Sequence, residues 1–135
     1  MPDHMTPEQR SRAMKSVKLR HGPLEKIVQR ELHAMGLRYR CHTRNLPGRP
    51  DIILPKERVA IFVDGDFWHG WRLPMWEHKL SDFWCKKLYA NRTRDQRNFR
   101  RLRHQGWTVV RIWEHHLREE GRLTRILERI RGKHR

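Results

Sequence analysis

The 135-residue chain has little cysteine and lacks long apolar runs. Its two cysteines, Cys41 and Cys85, form no paired motif, so we expect no disulfide framework and a reducing cytoplasm. No run approaches the roughly 20 apolar residues that span a membrane, and no signal-peptide core follows Met1. We therefore expect no membrane partner, and the length fits a single domain, residues 1–135, with one core.

Acidic residues are also scarce relative to basic ones. The chain has 15 Asp and Glu against 31 Lys and Arg, which gives a formal net charge of +16. A chain with this excess repels itself at low salt unless an anionic partner neutralises it. The phosphate backbone of nucleic acid is the commonest partner of that kind, so the composition predicts nucleic-acid binding.

Hydrophobic periodicity and turn residues predict helices that alternate with short strands. The predicted elements are a basic helix (10–19) in an N-terminal arm (1–20), an amphipathic helix (24–35), strands at 37–42, 51–54 and 59–63, a long basic helix (81–105), a strand (108–113) and a last helix (117–131). Gly22 and Pro23 are predicted to separate the first two helices, and residues 70–79 to be irregular. This order predicts an α/β sandwich, a mixed central sheet flanked by helices.

Carboxylates lie at the ends of two predicted apolar strands. Asp51 opens one strand, and Asp64 and Asp66 follow the next on either side of Gly65. A carboxylate at the edge of a buried strand is costly unless it caps, pairs or binds a cation. Asp51 is therefore either a turn residue or a ligand of Mg²⁺, with carbonyls near Gly65 completing the site. A metal there would neutralise phosphate charge and activate water.

A histidine and two aromatic residues follow these carboxylates. His69 is a candidate general base for the attacking water, because histidine is the residue type most often used for that role near neutral pH. The adjacent Phe67 and Trp68 cannot both face the core from the end of a strand. Either one is exposed and wedges between bases, or at least one is a core residue.

The long predicted helix carries many cations and few acids. Asp82 and Asp95 are its acids, so we expect the helix to contact the DNA backbone rather than to present an ordinary solvated face. Its basic residues are Lys86, Lys87, Arg92, Arg94, Arg97, Arg100, Arg101 and Arg103.

These motifs resemble those of the very-short-patch-repair (Vsr) DNA mismatch endonucleases. The resemblance runs from about residue 10 to residue 117. Its most specific blocks are Leu-Pro-Gly-Arg-Pro-Asp, which ends at Asp51, and Gly-x-Phe-Trp-His, which ends at His69. Further matching blocks lie around Arg10, Glu25 and Trp107.

The resemblance implies a restriction-endonuclease-like fold and an enzyme that nicks DNA beside a T:G mismatch formed by deamination of 5-methylcytosine. Asp51 would bind Mg²⁺ together with the Val63 carbonyl, and His69 would be the general base. Glu25 and Asp95 would support the metal or its waters, although Glu25 is equally explained as a favourable charge in the first helical turn. The implied DNA contacts are an aromatic wedge of Phe67, Trp68 and Trp84, Met14 in the opposite groove, and Asn91, Arg94 and Arg97.

The resemblance also implies partners and a location. Mismatch-containing duplex DNA is the implied substrate, mismatch-repair proteins are candidate partners, and a monomer is the default assembly. A bacterial enzyme of this kind would act in the cytoplasm, at the nucleoid.

The chain departs from the family pattern at two places. The acidic-x-Lys motif of the wider nuclease superfamily is missing, because no lysine follows Asp64, and a histidine base is the consistent alternative. The four positions at which Vsr enzymes typically hold a structural zinc carry Asp66, Trp71, Leu73 and His115. Two oxygen or nitrogen ligands do not make a closed zinc site, so we predict no structural zinc. Trp71 and Leu73 would fill the space, with Asp66 and His115 as a candidate pair.

Two other functions remain open. One is a Vsr-like homing or defence endonuclease that cuts matched DNA, and the other is a non-catalytic DNA-binding module. The full set of Glu25, Asp51, His69 and Asp95 argues against the module. The short chain, with no additional recognition domain, favours the mismatch enzyme over the homing or defence class.

Overall fold

A mixed sheet and its flanking helices make up the part of the chain that the computed structural model describes, residues 21–66, 69–71 and 73–133. The elements are α1 (His21–Ala34), β1 (Arg40–Cys41), β2 (Ile52–Leu54), β3 (Val59–Asp64), α2 (Leu73–Trp76), α3 (Asp82–His104), β4 (Thr108–Trp113) and α4 (Arg122–Lys133). Two 3₁₀ helices, Glu77–Lys79 and Glu114–Arg118, follow α2 and β4. The predicted basic arm lies outside the described residues.

The strands form one sheet in the order β1-β2-β3-β4. The first two pairings are antiparallel, whereas β3 and β4 are parallel. The parallel register places Phe62 opposite Arg111 and Asp64 opposite Trp113. This mixed sheet between helices confirms the predicted α/β sandwich.

Each face of the sheet packs against different helices, because side chains alternate along a strand. On one face, Ile61 and Val63 belong to a core that includes residues of α1 and α4. On the other face, Phe62 packs with Phe99 and Leu102 of α3. Asp64 follows the alternation of Phe62, which directs it to the α3 face of the sheet.

Several predicted boundaries differ from the structure. The helix predicted to begin at residue 24 begins at His21 among the described residues, so Gly22 and Pro23 lie in the first turn of α1, where a missing proline N–H costs no helical hydrogen bond. The first predicted strand is reduced to β1, and residues 70–79 include α2 and a 3₁₀ helix. The last helix begins at Arg122, after a 3₁₀ helix and Gly121, whose φ is +73°.

The predicted helix ends are confirmed where glycine adopts a left-handed conformation. Gly36 follows α1 with φ +74°, and Gly106 follows α3 with φ +89°. Ser81 caps α3, because its side chain accepts a hydrogen bond from the Trp84 N–H. No helix among the described residues is long and apolar enough to span a membrane.

Candidate active site

The half-buried Asp51 and the buried Glu25 form a carboxyl pair at the junction of α1, β2 and β3. Asp51 lies directly before β2, and its Oδ2 accepts a hydrogen bond of 2.8 Å from the Val63 N–H of β3. Glu25 projects from α1, is only 7% exposed, and shares a hydrogen bond with the Asp51 carboxyl. His42, which the sequence analysis did not single out, places its Nε2 3.4 Å from Glu25 Oε2.

Burial controls the protonation of this pair. It raises the pKa of Asp51 to about 7, and the negative charge of Glu25 adds to that rise, while the Val63 N–H works against it. Burial also raises the pKa of Glu25, against a lowering by its hydrogen bond with Asp51. Two carboxylates in contact cannot both ionise cheaply unless a cation joins them.

The pair fits a hard divalent cation. Within residues 21–66, 69–71 and 73–133, no three His, Cys, Asp or Glu side chains are gathered as a ready-made metal cluster. Mg²⁺ does not need one, because it is usually held by one or two carboxylates together with waters and substrate phosphates. Glu25 and Asp51 supply that number, and Val63, whose carbonyl is the third predicted ligand, lines the same cavity as Asp51.

His69 lies on the α3 side of the sheet between two carboxylates. Its Nδ1 is 2.7 Å from Asp95 Oδ2, and its Nε2 is 3.4 Å from Asp64 Oδ1. Asp95 is 8% exposed, so this acid lies on the buried face of the basic helix α3. A carboxylate hydrogen-bonded to one ring nitrogen orients the imidazole and fixes which nitrogen carries the proton.

Arg111 completes this network, although the sequence patterns did not predict a role for this residue. Its Nε donates a 2.7 Å hydrogen bond to Asp64 Oδ2, and its Nη2 is 3.5 Å from Asp95 Oδ2. The guanidinium also lies 4.2 Å from the ring centroid of Trp113 and 4.9 Å from that of Phe99. A cation within the otherwise apolar strand Thr-Val-Val-Arg-Ile-Trp was the available signal, because a buried charge requires a partner.

One open cavity of about 430 Å³ joins the two groups. Asp51, Asp64, His69 and Asp95 line it, so three of the four predicted catalytic residues face a common space, with Glu25 behind Asp51. The other lining residues are Gly48, Arg49, Phe62, Val63, Arg94, Asn98 and Phe99.

The Pro-Gly-Arg-Pro segment, residues 47–50, packs closely against α3 at this cavity. Gly48 has φ +74°, and a Cβ added there would lie 3.0 Å from the Cβ of Asn98. Only glycine fits this position, because a side chain would meet both backbone strain and α3. The close approach brings the next residue, Arg49, to the rim of the cavity.

The predicted DNA-binding residues differ in how far they are exposed. Trp84 is 2% exposed and Asn91 is 8% exposed, so neither has the open surface that the sequence prediction required. The exposed aromatic at this point is Phe83, at 60%. Arg94 lines the cavity and Arg97 is exposed, as a phosphate contact requires. Three other predicted DNA-binding residues lie outside the described part of the chain: Met14, Phe67 and Trp68.

At the positions matching the family's zinc ligands, Asp66 and His115 pair with each other. Asp66 Oδ1 is 2.8 Å from His115 Nδ1, which confirms the predicted pairing. The Trp71 ring lies 4.2 Å from the His115 ring, and Leu73 is fully buried. An Asp-His pair with two apolar neighbours does not fit a four-coordinate zinc ion, so the prediction of no structural zinc is retained on donor chemistry.

Comparisons with known proteins agree with this chemistry. The family described as "DNA mismatch endonuclease Vsr" matches residues 2–74. A type II nicking enzyme of Xanthomonas oryzae pv. oryzae is 39% identical over 132 residues, which cover 96% of this chain and 97% of that one. The DNA mismatch endonuclease Vsr of Escherichia coli (strain K12) is 35% identical over 117 residues, or 85% of this chain and 75% of that one. A type II nicking enzyme of Haemophilus parainfluenzae is 38% identical over 115 residues, 82% of each chain.

Proposed function

Because the chain belongs to the Vsr family of DNA endonucleases, we propose that it uses Mg²⁺ to nick one strand of duplex DNA beside a T:G mismatch. Family membership establishes a DNA endonuclease, and the mixed α/β architecture is consistent with the restriction-endonuclease-like fold. The metal, the mismatch and the single-strand cut are the proposal. The cavity that joins the Asp51 carboxyl to the His69 imidazole is the observation that carries it.

Asp51, Glu25 and the Val63 carbonyl are the proposed magnesium site. When bound, Mg²⁺ would offset negative charge on the phosphate and lower the pKa of water. The chain contributes a pocket in which Asp51 is held by the Val63 N–H at 2.8 Å. Glu25 lies beside it and adds the second negative charge.

His69 is the proposed general base. Asp95 holds its Nδ1 at 2.7 Å, so the proton of the neutral ring is retained there and Nε2 is the nitrogen that accepts a proton from water. As water adds to phosphorus and the P–O bond breaks, that proton passes to Nε2. The half-buried ring and Asp51 line the same cavity, which supports a base that acts beside the proposed metal.

Arg49 and Arg94 are the proposed phosphate contacts at the rim of the cavity. Both line it, and Arg94 has a side chain that is 54% exposed. Arginine matches phosphate geometry through its forked donors. The exposed face of α3, including Arg97, would extend this contact along the DNA backbone without reading sequence.

Mismatch recognition is assigned to Phe67, Trp68 and Met14, as the family resemblance implies. Unstacking costs least at a mispaired base, so an aromatic wedge would favour T:G over a paired site. Trp84 is left out of this wedge because its side chain is buried. A monomer that cuts one strand is the proposed assembly.

A second candidate function is a nicking enzyme for matched DNA. The relatives in Xanthomonas oryzae and Haemophilus parainfluenzae carry the name type II nicking enzyme, which specifies no mismatch. Their similarity to this chain is slightly higher than that of the Escherichia coli enzyme.

Labelled duplexes that differ in a single T:G or C:G pair would separate these functions. Each pair should be placed in several sequence contexts and incubated with Mg²⁺, with Asp51→Ala as the inactive control. We expect one cut, in the T strand of the mismatched duplex. Equal cutting of paired DNA would favour the second function, and a double-strand break would contradict nicking.

A further inference from the structure

We propose that Arg111 is a positioning residue: it holds Asp64 and Asp95 in the arrangement that orients the His69 imidazole. This inference rests on the proposed role of His69 as the base. Arg111 itself does not line the cavity, so it acts through the two carboxylates rather than on the substrate.

The first support is the geometry of the guanidinium. Nε donates to Asp64 Oδ2 at 2.7 Å, while Nη2 lies 3.5 Å from Asp95 Oδ2. The same two carboxylates are the groups that face the two nitrogens of His69, at 3.4 and 2.7 Å. One arginine therefore spans both carboxylates that contact the ring, and this arrangement of Asp64, Arg111 and Asp95 is called the clamp.

The second support is charge balance in a buried space. The Asp64 side chain is only 3% exposed and that of Asp95 is 10% exposed, so neither charge is well solvated. Arg94 also faces Asp95, with its Nη2 3.5 Å from Oδ1, but its side chain is 54% exposed. The Arg111 side chain is 19% exposed and is the cation that lies closest to Asp64 in the described residues.

The third support is how Arg111 is itself fixed. Its guanidinium lies over the rings of Trp113 and Phe99, which limits it to one direction on the α3 face of the sheet. Nη2 is buried and has no hydrogen bond of good geometry among the described residues. A small shift of Asp95 toward Nη2 would convert the 3.5 Å contact into one, so the clamp can tighten when the cavity is filled.

Without Arg111, Asp64 and Asp95 would lose the cation that contacts both of them. Two poorly solvated carboxylates repel each other unless a cation lies between them, so their side chains would move apart. Because Asp95 contacts Nδ1 of His69 and Asp64 lies near Nε2, the imidazole would turn with them. The clamp therefore fixes the direction of the ring, which is a different role from filling space between two aromatic rings.

Three variants test the clamp: Arg111→Met, Arg111→Lys, and the double variant Asp64→Asn with Arg111→Met. We expect Arg111→Met to cut about 10- to 100-fold more slowly at saturating DNA, as is usual when a group behind a catalytic residue is lost. Arg111→Lys keeps the charge but cannot span both carboxylates, so its rate should be intermediate. The double variant should recover part of the rate, because the uncompensated charge of Asp64 is also removed.

The imidazole signals of His69 provide a readout that does not depend on cutting. In ¹H–¹⁵N spectra at pH 7.5, assigned with His69→Gln, we expect the wild type to show an Nδ1 proton that is hydrogen-bonded to Asp95. Arg111→Met should shift the ring signals and weaken this hydrogen bond, and the double variant should return toward the wild-type pattern. Thermal unfolding identifies any variant that fails to fold, and Arg111→Lys then carries the test.

The outcomes separate this inference from the proposed function. Identical His69 signals in Arg111→Met and the wild type, or a double variant no faster than Arg111→Met, would overturn the clamp. If His69→Gln cuts at the wild-type rate, the proposed base is wrong whatever Arg111 does to the ring.

Discussion

The two halves of the cavity deal with buried negative charge in opposite ways. Around Asp51 and Glu25, the charge is relieved by a proton, and the pKa of Asp51 rises to about 7 through burial. Around Asp64 and Asp95, it is relieved by Arg111, whose guanidinium contacts both carboxylates.

This difference indicates what each half does. A carboxyl that holds a proton near neutral pH can exchange it for a metal ion, so the Asp51 side is suited to bind a cation with the substrate. A carboxylate paired with arginine already has a cationic partner. The Asp64 side is therefore suited to orient His69 rather than to bind a cation.

Substitution of Asp51, in the half that holds a proton, should have the largest effect on cleavage. Asp51→Ala is expected to abolish cleavage and leave DNA affinity nearly unchanged, because the metal is lost and the arginines remain. Cleavage gels and fluorescence anisotropy on the same T:G duplex measure the two effects. Asp82→Ala, which removes an exposed acid of α3, is the matched control for charge. Cleavage by Asp51→Ala near the wild-type rate would remove Asp51 from the site.

Removing the base should have the next largest effect. His69→Ala is expected to slow single-turnover cleavage by about 10²–10⁴-fold, the usual contribution of a general base. His78→Ala provides the control, because this exposed histidine lies on the 3₁₀ helix after α2. Equal rates for the two variants would show that His69 takes no part in the chemistry.

The stability of the folded protein should depend on pH through Asp51. The pKa of Asp51 is about 7 in the folded protein and about 3.8 as an unperturbed carboxyl. Between these values the folded state binds the extra proton, so the free energy of unfolding should fall as pH rises from about 4 to 7. Thermal unfolding without metal should show this slope in the wild type and a smaller one in Asp51→Asn. The same slope in both proteins would contradict the assignment to Asp51.

The smallest effect should come from an exposed arginine on the rim. Arg94→Ala removes a phosphate contact and a 3.5 Å contact with Asp95, but its side chain is 54% exposed. We expect weaker DNA binding and a salt slope reduced by about one, with the rate at saturation changed less than in Arg111→Met. Affinity measured across a salt series checks this. An unchanged slope would show that Arg94 does not touch phosphate.

Sequence patterns predicted the sheet, most helices and the positions of the carboxylates, because these depend on local periodicity and turn residues. Gly36 and Gly106 follow the ends of α1 and α3, close to the predicted ends at residues 35 and 105, and β3 is buried along its whole length. The predicted start of α1 at residue 24 was three residues late, since a proline can occupy the first turn of a helix.

Side-chain partners were harder to predict, because they depend on how distant segments meet. Trp84 and Phe83 are adjacent on α3, and periodicity alone left either one on the buried stripe. The structure buries Trp84 and exposes Phe83. Arg111 was overlooked because its strand otherwise reads as core, and its partners lie 47 and 16 residues away in the chain.

Proton release on adding Mg²⁺ tests the difference between the two halves most directly. The protein at pH 7, in weak buffer and without DNA, would be titrated with Mg²⁺ while the pH is recorded. We predict that the wild type and His69→Ala release protons as Mg²⁺ displaces the one shared by Asp51 and Glu25, and that Asp51→Asn does not. Equal release by Asp51→Asn, or Mg²⁺ binding by the wild type with no release, would contradict the assignment of the metal to this carboxyl pair.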